Sequence, residues 1–346
     1  MWHFRRQKLN IGFIIFELTD ACNQACRFCY NHFKGGEGLC TPPAPDFKAA
    51  RKTLRALLSE ANIGSISLTG GEPMLTPRIH DLVLRARLSG SKVNILTNGT
   101  LLRDDDIAIF DQLGVSTIQI PLLSHRATEH DYQTQLAGSW ERATEAARKV
   151  MARRDNWLTP VFILSRLNSQ SIEPTLEMYA AMGAKRIMLN RFNIGGLGRK
   201  YADELVLSHA ELRDAFRRAD TKLGELGMSA HNGVCTPMCL LDPKEYAHIS
   251  FSHCTTELHT RPLTVNYRGD VRFCNHSPRI LGNIHKERLT DIIARSSSSG
   301  YYDNIPSACS ACKLWERCRG GCRAAAEQLY GTFDRVDPVL EQPYKK

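Results

Sequence analysis

Nothing in this 346-residue sequence approaches the roughly twenty consecutive apolar residues that a membrane-spanning helix needs. Its first ten residues, MWHFRRQKLN, lack the long apolar core followed by small residues that marks a secretory signal. There is no internal repeat and no long low-complexity tract, and SSSSG at 296–300 reads as a short flexible loop. Basic residues exceed acidic ones by 45 to 36, a formal charge of +9, yet they are spread along the chain and form no arm or tail. Such a balance speaks only to non-specific attraction. It gives nucleic acid no support as a partner, and an acidic or phosphorylated partner fits equally well. Together these absences argue for the cytoplasm and against a membrane protein.

What the chain does have is cysteine, twelve in all. In a reducing compartment thiols seldom become disulfides, so metal ligation or catalysis is the better default. At 42% hydrophobic residues the chain can bury a large core. Strand-like runs recur at Ile11 to Glu17, Ser65 to Thr69, Lys92 to Thr97, Ser116 to Pro121, Leu158 to Leu164 and Arg186 to Arg191. Helical patterns separate them, at Asp46 to Glu60, Pro77 to Leu88, Asp104 to Leu113, Gly138 to Arg153, Ile172 to Met182 and Ser208 to Leu226. Strand alternating with helix predicts an α/β fold with a parallel sheet, and six units predict a partial (β/α)6, TIM-like barrel, short of the eight of a closed one. The rhythm stops after Leu226, and residues 227–346 are dense in Cys, Pro, Gly and His. The expected division is therefore a barrel over 1–226 and a cysteine-rich extension over 227–346. Eight cysteines, Cys235 to Cys322, lie in that extension, and metal sites there would supply folding free energy directly.

The stretch ELTDACNQACRFCYNHF, residues 17–33, places Cys22, Cys26 and Cys29 on one short loop after the first strand. Three thiolates can grip three corners of a cubane iron–sulfur cluster, leaving the fourth iron open to a substrate or cosubstrate. A structural zinc site completed by His32 satisfies the same spacing. Cys22-x3-Cys26-x2-Cys29 at a strand end, followed by Tyr30, resembles the signature of the radical S-adenosylmethionine (SAM) enzymes. LTGGEPML, residues 68–75, is similar to that family's GGEP segment, and ILTNGTLL, residues 95–102, to its TNG segment; by residues alone each is also an ordinary turn.

The resemblance implies that Cys22, Cys26 and Cys29 hold a [4Fe–4S] cluster whose fourth iron is chelated by SAM. An electron from it would cleave SAM to methionine and a 5′-deoxyadenosyl radical, which removes a hydrogen atom from the substrate. Gly70, Gly71, Glu72 and Pro73 would contact the SAM methionine, Asn98 would belong to the same cofactor site, and Phe28 would lie near the adenine or else pack in the core. Where many relatives have a ribose-binding Ser, this chain has Pro121.

The tail carries Cys254, then Gly269 and Cys274, then Cys309-x2-Cys312-x5-Cys318-x3-Cys322. This series resembles the SPASM extension of radical SAM enzymes, which holds auxiliary iron–sulfur clusters. By that resemblance Cys254, Cys274 and Cys322 serve a first auxiliary cluster, and Cys309, Cys312 and Cys318 a second. Each set is one ligand short, and the family's seventh cysteine is missing. For the second cluster the candidates are Asp337, a non-protein ligand, or a smaller or open site, and for the first Cys235 and Cys239; the two cysteines read equally as free buried thiols. Cys40 is expected to be a bystander, and no role as ligand is expected for His253, His259 or His276. No catalytic base can be named from the sequence.

Relatives of this architecture mature ribosomally made peptides, oxidise sulfatases or modify small molecules including tetrapyrroles. Peptide maturation is the first expectation, a small-molecule substrate the second, and an iron–sulfur electron carrier or zinc-stabilised binding protein the non-enzymatic alternative. The implied partners are an external electron donor such as a flavodoxin or ferredoxin and a separate peptide-recognition protein, since the first strand begins at Ile11. The Gly-rich linker 190–205 is expected to be flexible and to line the substrate opening or serve as an ordinary connection.

Overall fold

The structure is a computed structural model and describes residues 8–34, 43–258, 261–301 and 303–341. Cys40 and His259 lie outside the described residues. Eleven strands form one sheet: β1 (Leu9–Glu17), β2 (Ala61–Thr69), β3 (Lys92–Leu96), β4 (Thr117–Pro121), β5 (Leu158–Leu164), β6 (Arg186–Arg191), β7 (Ser229–Asn232), β8 (Ile249–Phe251), β9 (Leu263–Asn266), β10 (Asp270–Arg272) and β11 (Ile280–Asn283). Strands β1 to β8 lie side by side in chain order, every neighbouring pair parallel. β9 then crosses to the outer side of β1 and pairs with it in parallel, and β10 and β11 extend that edge antiparallel. The row ends at β11 and β8 without closing, so the barrel is partial.

Parallel strands need long crossovers, and helices supply them: α1 (Phe47–Glu60), α2 (Ile79–Leu88), α3 (Asp104–Gln112), α4 (Ala127–Thr134), α5 (Ser139–Arg153), α6 (Ile172–Ala181), α7 (Ala202–Leu205) and α8 (His209–Glu225). Local chemistry starts several of them. The Asp46 carboxylate accepts from the Ala49 N–H at the head of α1, and Ser208 and Glu211 form a reciprocal capping box on α8. Three short helices follow in the tail, α9 (Leu289–Ser298), α10 (Trp315–Cys318) and α11 (Arg323–Tyr330).

Register separates the two faces of the sheet. Ile14, Ile66 and Val93 stand side by side, as do Phe16, Leu68, Ile95 and Ile118, and all are fully buried. They share one core cluster with Leu54 and Leu57 of α1, Leu82 of α2 and Phe110 of α3. On β2 and β3 the alternate positions are polar: Asn94 of β3 donates to Ser65 Oγ at 3.0 Å and Ser67 Oγ at 3.3 Å on β2. One face is thus a hydrophobic seat for helices and the other a polar barrel lining.

All six predicted strands form, and the array then continues into β7 and β8, of four and three residues, too short to leave a readable period in the sequence. The serines expected to loop at 296–300 instead finish α9 as far as Ser298, because Ile292 and Ile293 of that helix are buried. α4 has no apolar stripe, and its polar sequence ATEHDYQT hid it.

Candidate functional site

Because β1, β2 and β3 are parallel neighbours, the segments after them emerge at one end of the sheet: the cysteine loop, GGEP and TNG. Loop and GGEP are zipped together through the backbone. Leu18 N donates to Thr69 O at 2.8 Å, Gly71 N to Thr19 O at 2.7 Å and Glu72 N to Ala21 O at 2.8 Å. The glycines are required by this contact. A Cβ on Gly70, at φ +134°, would sit 2.3 Å from Thr19 O, and one on Gly71 would sit 2.0 Å from Ala21 O. Their close approach is therefore to the cysteine loop itself.

Glu72 ties the second and third strand ends. Its buried carboxylate accepts from Thr97 Oγ1 at 2.6 Å, Asn98 N at 2.7 Å and Met74 N at 3.0 Å, and burial raises its pKa against the pull of these donors. Pro73 is buried at the head of the turn Pro73–Leu75. Asn98 Nδ2 reaches the loop at Asn23 Oδ1, 2.8 Å, and Asn23 Nδ2 returns to Thr100 Oγ1, 2.8 Å. Phe28 packs beside Phe192, Ile194, Ala202 and Leu205. Pro121 closes β4, and the following Leu122 N donates to Val161 O at 3.1 Å.

Cys22, Cys26 and Cys29 are grouped by this framework. Cys29 N donates to Cys26 O at 3.1 Å, closing a turn between the last two. Burial first, then the neighbouring Cys29 and Cys22 sulfurs, push the Cys26 thiol well above its ordinary range. Lys34 faces the same group: burial works against its charge, yet the sulfurs of Cys29, Cys22 and Cys26 raise its pKa overall. Its ammonium also donates to Gln24 O at 2.8 Å. His32 is turned elsewhere, with Nδ1 at 3.1 Å from Arg272 Nη1. Among the described residues no three Cys, His, Asp or Glu side chains converge on the position of a single ion. A multi-iron cluster spaces its thiolates more widely than one ion does, and an all-thiolate donor set suits iron–sulfur chemistry, so these residues fit the cluster.

The linker 190–205, expected to be loose, is packed along its first half. Residues 191–196 are buried, and a Cβ on Gly196, at φ +45°, would lie 2.3 Å from Asn31 O of the cysteine loop. Gly198 N donates to Cys29 O at 2.9 Å, and Gly196 N to Gln328 Oε1 of α11 at 2.8 Å. Gln328 in turn donates to Tyr30 O at 2.9 Å and to His276 O at 2.6 Å. The linker is packed where an opening was expected. Tyr30 also faces the tail, its ring 5.0 Å from that of His276 and its hydroxyl accepting from Asn275. A buried Glu17–Arg272 ion pair joins β1 to β10 beside them. None of these long-range links carries a sequence signal.

In the tail the structure gathers the cysteines into two groups. Cys274 feels the charge of Cys254, and Cys322 that of Cys274. Cys309 feels Cys318 and Cys312. Asp337 does not join the second group: its carboxylate accepts from Arg191, from Cys322 N at 2.7 Å and from Val339 N at 3.0 Å. Nor do Cys235 and Cys239 both join the first. Cys235 faces Cys254, whereas Cys239 faces Cys318 and Cys312. The His276 ring meets Ile194 O at 2.9 Å, and Asn193 Nδ2 donates to Cys322 Sγ at 3.1 Å.

The sequence model of the radical SAM superfamily matches residues 16–179, and that of the SPASM iron–sulfur cluster-binding domain matches residues 254–319. The PqqA peptide cyclase of Gluconobacter oxydans is 27% identical over 347 residues, covering 96% of this chain and 91% of that protein. The PqqA peptide cyclase of Granulibacter bethesdensis is 26% identical, over 94% of this chain and 86% of its own. Among solved structures, Streptococcus suis SuiB bound to S-adenosylmethionine superposes with a TM-score of 0.69 at 17% identity, covering 96% of this chain and 77% of that one. Native anSMEcpe with bound AdoMet and the Cp18Cys peptide gives 0.68 at 16% identity, covering 97% and 94%. A partial barrel with a three-thiol loop on its first strand and a cysteine-rich extension defines the class, and this chain belongs to the radical SAM superfamily with a SPASM domain. It is an enzyme whose bound [4Fe–4S] cluster and SAM supply a 5′-deoxyadenosyl radical for hydrogen-atom abstraction, with auxiliary iron–sulfur clusters in the tail. Among the described residues no helix is long and apolar enough to cross a membrane.

Proposed function

We propose that the enzyme matures a ribosomally made peptide, abstracting a hydrogen atom from it and installing a crosslink or oxidation. The observation that carries this reading is the likeness to PqqA peptide cyclases along 94–96% of the chain, cysteine-rich tail included. Cys22, Cys26 and Cys29 hold the SAM-binding cluster. Gly70, Gly71, Glu72, Pro73 and Asn98 shape the SAM site, with Phe28 at the adenine end. Cys254, Cys274 and Cys322 serve one auxiliary cluster, and Cys309, Cys312 and Cys318 the other. Barrel and extension divide at 226/227, with β7 and β8 at the start of the extension prolonging the parallel row of the barrel. The tail cysteines would hold auxiliary clusters able to accept the electron left after hydrogen abstraction; a flavodoxin or ferredoxin supplies the reducing electron, a separate recognition protein delivers the peptide, and the site of action is the cytoplasm.

The chain's own contribution is positioning: GGEP and TNG brace the cysteine loop, and the linker covers it, holding water away from the radical chemistry. The test is anaerobic reconstitution with iron and sulfide, then dithionite, SAM and each short peptide encoded near the gene. 5′-Deoxyadenosine and a peptide mass shortened by hydrogen are expected. Unchanged peptide alongside turnover of a tetrapyrrole or other small molecule would overturn the peptide assignment. Undiminished SAM cleavage by the Cys22/Cys26/Cys29→Ala triple variant would overturn the loop assignment.

A further inference from the structure

Each of the two tail groups, Cys254/Cys274/Cys322 and Cys309/Cys312/Cys318, is one thiol short of four. We propose that one five-residue segment, CTPMC at 235–239, completes both: Cys235 ligates the first auxiliary cluster and Cys239 the second. Both clusters are then fully cysteine-ligated, and neither keeps an open iron for substrate. This rests on the reading of the tail as an auxiliary-cluster domain.

The backbone of the segment sets the split. Leu240 N and Leu241 N both donate to Pro237 O, at 2.9 and 3.1 Å, so the chain turns sharply at Pro237, with Cys235 before the turn and Cys239 within it. Pro237 is wedged against Gly321, where a Cβ would lie 2.6 Å from its Cγ, which locks the turn to the Cys318–Cys322 stretch. Within the turn, Met238 N donates to Cys318 Sγ at 3.3 Å, and Cys239 lies in electrostatic reach of Cys318, Cys312 and Cys309. Before it, Cys235 lies in electrostatic reach of Cys254 and Cys322.

One ion pair brackets the first group. Arg191 Nη2 donates to Cys235 O at 3.1 Å and pairs with Asp337, and Asp337 accepts from Cys322 N. Asp337 is thereby occupied as a brace for two of the thiol-bearing residues. Packing does not account for the pair of cysteines, since Cys239 is exposed and has no apolar surface to fill. Four thiolates make a complete donor set for either a two-iron or a four-iron cluster, and full ligation suits electron transfer.

The test uses the full-length, anaerobically reconstituted protein and its Cys235→Ala, Cys239→Ala and double variants, read by iron and sulfide content and by EPR of the reduced state. Cys235→Ala is expected to lose or shift one auxiliary signal and Cys239→Ala the other. The double variant loses or shifts both and keeps the spectral response of the third cluster to SAM, which also reports that the barrel is folded. Iron content and spectra unchanged in either single variant would overturn the inference. So would loss of the same signal from both, collapse of all signals in either, or a Cys235–Cys254 disulfide in the iron-loaded protein. Wild-type protein carrying the SAM-responsive cluster alone would instead overturn the auxiliary-cluster reading, and this inference with it.

Discussion

Arg191, the last residue of β6, is ion-paired with Asp337, and both side chains are buried, at 3% and 0% exposure. The guanidinium also donates to Thr236 Oγ1 at 3.1 Å and to Cys235 O at 3.1 Å, so a single cation joins the barrel, the CTPMC segment and the C-terminal stretch. Truncating one partner of such a pair strands the other charge in a dry site, which typically costs about 3–5 kcal/mol. Asp337→Ala is expected to lose stability on that scale in anaerobic denaturant unfolding. Asp337→Asn keeps an acceptor for Arg191 and Cys322 N, and should lose less while retaining the full complement of clusters in iron analysis.

Gly71→Ala is expected to disable SAM cleavage. The added methyl would meet Ala21 O at 2.0 Å, backbone against backbone, so the cysteine loop must shift away from β2. Displacement of a reacting group by an ångström costs rate roughly a hundredfold, and 5′-deoxyadenosine production should fall by about that much. Gly12→Ala, on extended β1 backbone with nothing within 4 Å, is the control and should leave cleavage unchanged.

Glu72 and Thr97 should rank in a definite order. Glu72→Ala removes the acceptor for two backbone N–H groups and one hydroxyl, and buried donors left unpaired cost about 1–3 kcal/mol each. Thr97→Val removes one donor, leaves the carboxylate two others and unpairs one N–H, that of Gly99, for a smaller loss of about 1–3 kcal/mol. Denaturant midpoints of the two variants test the order, and equal losses would contradict the role of Glu72 as the joint between GGEP and TNG.

His130 on α4 is buried and accepts from Leu123 N at 3.1 Å, and burial lowers its pKa from 6.5 to about 4. The folded chain holds this imidazole neutral while the unfolded chain protonates it below its ordinary pKa. Its contribution is therefore complete above about pH 6.5 and is lost as pH falls toward about 4, by up to about 3 kcal/mol. His130→Gln is expected to lose stability less steeply than wild type between about pH 7 and pH 5 in anaerobic thermal unfolding, since its amide can accept from Leu123 N without titrating.

What could be read in the sequence was what is local in the chain. Cys22, Cys26 and Cys29 fall within eight positions on a loop that one strand delivers, and the parallel rhythm that delivers it shows as alternating patterns. Glu72 and Asn98 were legible as motifs, but their bonds to each other and to Asn23 need the three strand ends to be brought together. Arg191 and Asp337 are 146 residues apart and leave no trace in any window. Gly195 to Gly198 looked like slack because glycine in a linker usually is; here the missing side chain is what lets the backbone lie on Asn31. Composition showed that the tail lacked ligands, and only the turn at Pro237 shows that the two cysteines of one segment go to different groups.

The pairing of β9 with β1, Ile14 beside Leu263, bears on the order of biosynthesis. Until residues 263–266 leave the ribosome, the outer edge of β1 presents unpaired amide and carbonyl groups, a template for adhesion to other nascent chains. The amino-terminal strand that leads into the three-thiol loop is thus completed only late in synthesis, and metal loading before residues 263–266 emerge would take place on a half-assembled edge.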